Sequence, residues 1–125
     1  MIDFLQGVEV HKKLFPLATK SSQIIQLNEE LEELDGAESF EEIEEETGDV
    51  LVVAVSLLRF EETKHIGAFI LQKFYFDYPI NEQKKRMKWF NSSIEKCKKR
   101  ISDERYYYVN GLYKRDKNFY KGGNK

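Results

Sequence analysis

Between residues 21 and 34 the apolar positions Ile24, Leu27, Leu31 and Leu34 step by three, four and three, which draws one stripe along a helix. Ser21 or Ser22 can cap that helix, and Asp35-Gly36 supplies its stop. Ser39 followed three residues later by Glu42 reads as a capping box. It opens a second helix running to about Glu62, whose Val50–Leu58 portion is apolar except for Ser56. A segment apolar nearly all round belongs to the most buried element of a bundle. A third helix is predicted across Lys64–Phe76, ended before Pro79, and a fourth from Asn81 to about Ser102 with Met87, Phe90, Ile94, Cys97 and Ile101 on its inner stripe. An N-terminal helix over residues 2–14 precedes them. Strand-like alternation is scarce, although Tyr106 to Tyr113 suits a short hairpin or an extended arm, and Gly122 to Lys125 a frayed end. The pattern predicts an all-α fold: a four- to five-helix bundle in one domain, 1–125, with an irregular basic C-terminal arm from about residue 103.

Composition narrows this reading. A chain of 125 residues is one domain's worth, and nine Phe with seven Tyr allow a sizeable core. One cysteine, Cys97, forbids an intramolecular disulfide and a multi-thiolate metal site. The longest apolar run is too short to cross a membrane, and Met1-Ile2-Asp3-Phe4 lacks the basic region of a signal peptide. A cytoplasmic location is the expectation.

The net charge of −2 conceals a split. Residues 1–62 hold four basic and sixteen acidic groups, a balance of −12, while residues 84–125 hold fourteen basic and four acidic groups, a balance of +10. Most of the acids suit a solvated helix face, Glu41, Glu44 and Glu45 among them; Glu41 and Glu42 also sit well in a first helical turn. Glu46 and Asp49 differ. At 100° per residue, Ile43, Glu46, Val50, Val53 and Leu57 share a sector about 80° wide, with Asp49 at its edge. Two ionisable groups therefore intrude on the stripe that faces the bundle, which costs several kcal/mol unless something pairs with them. Glu30 and Glu33, three apart, repeat the feature one helix earlier, Glu30 bordering the leucine stripe. Two readings follow: solvated acidic faces, or a hard-oxygen site suited to Mg²⁺, Mn²⁺ or Ca²⁺.

Glu30-x-x-Glu33, twelve intervening residues and Glu46-x-x-Asp49 resemble the ExxE…ExxD signature of the MazG-like, all-α nucleoside triphosphate pyrophosphohydrolases. Phe15-Pro16-x-Ala18-Thr19, Gln23 and Leu27-x-Glu29-Glu30-x-x-Glu33-Leu34 resemble that group's first metal helix and its approach. Glu45-Glu46-x-Gly48-Asp49-Val50-Leu51-Val52-Val53 resembles its second. The likeness covers roughly residues 12–60. Gln26 stands where relatives commonly have Lys, Glu32 where they commonly have Gly, and 63–80 has no counterpart.

The resemblance implies a MazG-like bundle, assembled as a homodimer or homotetramer, that uses Mg²⁺ (or Mn²⁺) to cleave a (d)NTP between its α and β phosphates, giving a monophosphate and pyrophosphate, as in nucleotide-pool house-cleaning. By position, Glu30, Glu33, Glu46 and Asp49 are the implied ligands, and Glu29 or one of the four orients or deprotonates the attacking water. Gln23, Asn91, Lys98, Arg100 and Lys114 are the candidates for substrate binding. The alternative is a catalytically inactive nucleotide- or metal-binding regulatory protein; a di-iron carboxylate bundle is disfavoured because no Glu-x-x-His is present.

The basic half, with Tyr and Trp89 interleaved, admits three readings: a solvated face, cations serving the acidic site, or nucleic-acid binding. The last is disfavoured because the net charge is not basic and no known module appears. His11 and His65 lack metal-ligand spacing and are expected at the surface or at helix ends. Cys97 reads as a small buried hydrophobe, and Trp89 as a subunit contact ahead of a base-stacking ring.

Overall fold

A computed structural model describes residues 1–102 in full and, beyond them, the backbone of 106–109 and 112–115. Five helices follow in order: α1 (Phe4–Leu14), α2 (Lys20–Asp35), α3 (Phe40–Leu57), α4 (Lys64–Leu71) and α5 (Ile80–Ser102). A π-helical turn, Gln72–Phe76, extends α4. Strands β1 (Tyr106–Val109) and β2 (Leu112–Arg115) then pair antiparallel, with Tyr106 opposite Arg115 and Val109 opposite Leu112. The C-terminal arm is therefore regular over these eight residues, not irregular; the expected frayed end, Gly122–Lys125, lies outside the described residues.

Helix boundaries follow local chemistry. Helix α2 begins a turn earlier than Ser21 or Ser22 suggests, because Thr19 is the cap: its hydroxyl accepts from Ser22 N at 3.0 Å while Ser22 Oγ accepts from Thr19 N at 2.9 Å. Ser39 caps α3, accepting from Glu42 N at 3.1 Å. The box is only half formed, since Glu42 accepts from Glu38 N instead of Ser39 N. Helix α3 stops at Leu57, five residues short of expectation. Thr63 Oγ1 donates to the Leu57 carbonyl at 2.8 Å, and tight i→i+3 bonds from Leu58, Arg59 and Phe60 unwind the chain.

Helix α3 is the centre of the molecule and packs against α1, α2, α4 and α5. Val50, Leu51, Ala54, Val55 and Leu57 are fully buried, with Phe90 and Ile94 of α5 against them. Truncating such a leucine to Ala costs about 2–5 kcal/mol. Two glycines permit the closest approaches: a Cβ on Gly48 would sit 2.4 Å from the Trp89 carbonyl oxygen, and one on Gly67 2.4 Å from that of Ala54.

The histidines part company. His65 is exposed as expected, but His11 is 4% exposed. Arg59 Nη1 bridges its Nδ1 and the Phe15 carbonyl, each at 2.9 Å, tying the end of α1 to the segment after α3. An isolated histidine in a polar-looking stretch gave no sign of this. Among the described residues no helix is long and apolar enough to cross a membrane.

Candidate metal centre

Helices α2 and α3 form a hairpin through a short connection that begins at Gly36. Each carries a pair of carboxylates one turn apart on the face it turns to the other. Glu30, Glu33, Glu46 and Asp49 consequently converge, each offering an oxygen within 4.8 Å of the rest. Glu33 lies at the open edge, Glu46 and Asp49 are half-buried, and Glu30 is 9% exposed.

The two most telling atoms are carboxylate oxygens. Glu30 Oε1 accepts from Gln26 Nε2 at 2.8 Å, but Glu30 Oε2 is buried with no hydrogen-bond partner, and so is Glu46 Oε2. Such acceptors are costly to leave unsatisfied. Burial, reinforced by Asp49 and Glu33 and only partly offset by Gln26, pushes Glu30 up to about 8. Burial, then a hydrogen bond with Glu33 and the charge of Asp49, pushes Glu46 up to about 7. Four oxygens crowded without histidine or thiolate make a hard donor set, and a divalent ion would satisfy both orphaned oxygens and the repulsion together.

Asp49 is held from the other side by α5. Ser93 Oγ donates to Oδ1, and Lys96 Nζ donates to Oδ2 at 3.0 Å and to Glu45 Oε1 at 3.1 Å. Burial alone would lower Lys96, but Asp49 and Glu45 outweigh it and raise it, so it is a fixed cation. Cys97 lies close by. Burial, with Asp49 adding to it, pushes its thiol up to about 11, which leaves it protonated and inert at neutral pH.

Of the other residues singled out from sequence, Glu29 is half-buried on α2 and stands outside the group of four. Gln23 is buried and donates to Ser22 Oγ at 3.3 Å. Asn91 uses its amide on the N-terminal segment, accepting from Ile2 N at 2.9 Å and donating to Ile2 O at 3.0 Å. Lys98 forms an exposed pair with Glu95 at 3.1 Å, and Arg100 is half-buried near Cys97. Lys114 falls in β2, whose backbone runs beside α2; its side chain is outside the described residues. Sequence reasoning passed over Ser93, Lys96 and the Gln26 contact. The signal available was that Ser93 and Lys96 are three apart on α5, opposite Gly48.

No protein-family model matches the chain, and no curated protein or solved structure matches it.

Proposed function

We propose that the protein is a Mg²⁺-dependent nucleoside triphosphate pyrophosphohydrolase of MazG-like type, acting on the α–β phosphate bond. One observation carries the reading: Glu30, almost wholly buried, aims an unpartnered oxygen into a group of four convergent carboxylates. Stability does not account for that arrangement, since a hydrophobic residue there would cost less. The ExxE…ExxD spacing and its flanking residues supply the choice of chemistry.

Glu30, Glu33, Glu46 and Asp49 would hold the ion. When bound, it supplies charge neutralisation for the phosphates and a more acidic water. This chain's own contributions are then separable. Ser93 and Lys96 keep the Asp49 carboxylate turned to its place. Gln26 orients Glu30. Glu29, or one of the four, orients or deprotonates the attacking water. Assembly as a homodimer or homotetramer, in which a second copy adds cations, belongs to the same proposal.

The test is product identity. Purified protein with Mg²⁺ should release pyrophosphate, not orthophosphate, from at least one nucleotide in a full (d)NTP panel. Glu46→Gln and Asp49→Asn should abolish release with an unchanged helical circular dichroism spectrum. A panel silent with both Mg²⁺ and Mn²⁺ refutes the enzymatic reading.

A further inference from the structure

Beside the carboxylate group lies a cavity of about 280 Å³ lined by Glu44 and Glu45 of α3 and by Trp89, Ser92, Ser93 and Lys96 of α5. Next to it, Gly48 lets the Trp89 backbone come close to α3. The Trp89 ring is a held surface. The Arg86 guanidinium lies 5.2 Å from its centroid and 3.5 Å from that of Tyr78, and Arg86 is itself fixed by a 2.9 Å bond to the Phe74 carbonyl. Two lining residues, Ser93 and Lys96, are the same two that bond Asp49. Whatever fills the cavity is therefore one side chain away from the phosphate-handling carboxylates.

We infer that this cavity receives the base of the nucleotide substrate, stacked on Trp89. The inference rests on the hydrolase reading of the carboxylate group and specifies its substrate. Size favours a single heterocycle: the volume is at the low end for small-molecule pockets and leaves no room for a peptide helix. Chemistry favours stacking, since every base offers a π face to a fixed indole. Of the two readings the sequence offers for Trp89, this is the base-stacking one.

Trp89 is the single tryptophan of the chain, so indole emission reports on this cavity directly. The intact protein with Mg²⁺ is titrated with the non-hydrolysable α,β-methylene triphosphates of cytidine, adenosine and thymidine, and with inorganic tripolyphosphate. The nucleoside analogues should quench emission saturably by stacking on the indole; tripolyphosphate should leave emission flat. Ser92→Leu, at an exposed rim position, should weaken the cytidine analogue about tenfold while calorimetric Mn²⁺ binding stays as in the wild type. Flat emission with every analogue, or Ser92→Leu binding like wild type, overturns the cavity assignment even if pyrophosphate is released from nucleotides. Saturable quenching without pyrophosphate release upholds the cavity and removes the hydrolase reading instead.

Discussion

Replacing Glu30 with Gln should make the metal-free protein more stable and the metal-loaded protein less stable than wild type. The substitution is isosteric and keeps the oxygen that accepts from Gln26. At about pH 8 the glutamate of the unfolded chain is fully ionised, while the folded Glu30 is at its midpoint of about 8 against an ordinary 4.5. That gap of about 3.5 pH units, at about 1.4 kcal/mol each, sets a ceiling near 5 kcal/mol on what ionisation takes from the fold. Glu33 is open to water and Asp49 already carries Lys96, so solvent and that cation screen the repulsion and roughly half, about 2 kcal/mol, is the expected gain. Because the folded value is raised, the stability Glu30 contributes is fully present below about pH 4.5 and is lost as pH rises through about 8. The advantage of the variant should accordingly shrink on acidification toward pH 5. Saturating Mg²⁺ at about a hundred times its dissociation constant adds about 2.7 kcal/mol to a protein that binds it, and Glu30→Gln should lose most of that. Urea unfolding followed by circular dichroism, in chelator and in Mg²⁺, measures both. Equal stability in chelator, or equal stabilisation of the two proteins by Mg²⁺, would refute the reasoning.

Three further outcomes follow from the same structure. His11 is held down to about 3 by burial and by Arg59, so the stability of its neutral form is present above about pH 6.5 and lost as pH falls toward 3; in urea titrations the wild type should lose ground to His11→Gln by about 2 kcal/mol between pH 6.5 and 4.5, and a parallel pair of curves would remove the buried contact from the account. Ser93→Ala should weaken Mn²⁺ binding by about 10–100-fold in calorimetry, as loss of a ligand-orienting partner does, and unchanged affinity would mean that Asp49 needs no such support. Gly48→Ala, whose Cβ would meet the Trp89 carbonyl oxygen at 2.4 Å, should cost about 1–3 kcal/mol or more. Gly36→Ala, which meets nothing closer than 3.5 Å, should change stability by less than about 0.5 kcal/mol; a similar loss in both would trace the effect to helix boundaries instead of the α3–α5 crossing.

The helices were legible because their stripes are long and their punctuation is local: Ile24, Leu27, Leu31 and Leu34 all face the core or its margin, and Ser39 and Gly36 mark helix ends where expected, while the start of α2 lies up to a turn earlier, at Thr19. Two things escaped because they depend on side-chain contacts that the apolar pattern does not encode. Leu57 ends α3 because the hydroxyl of Thr63 folds back onto it, and nothing in the apolar run to Leu58 announces that. His11 is buried because Arg59, forty-eight residues on, reaches it.

The carboxylates show how far local pattern can go. Placing Glu46 and Asp49 on the buried stripe required only the angle per residue; of the acids assigned to the solvated face, Glu41 and Glu45 stay exposed, while Glu44 is half-buried. What the pattern could not give was the third wall. Fourteen cations in the basic half look interchangeable as a string, and Lys98, Arg100 and Lys114 were singled out for phosphate, with none singled out to bond Asp49. Lys96 does, because Gly48 lets α5 settle against α3 with Ser93 facing Asp49, which brings the next turn of α5 over the same carboxylate. The charge split along the chain thus has at least one physical purpose: it allows an acidic hairpin to fold next to a helix that can neutralise it at a chosen point while leaving Glu30 and Glu46 with oxygens for something else to satisfy.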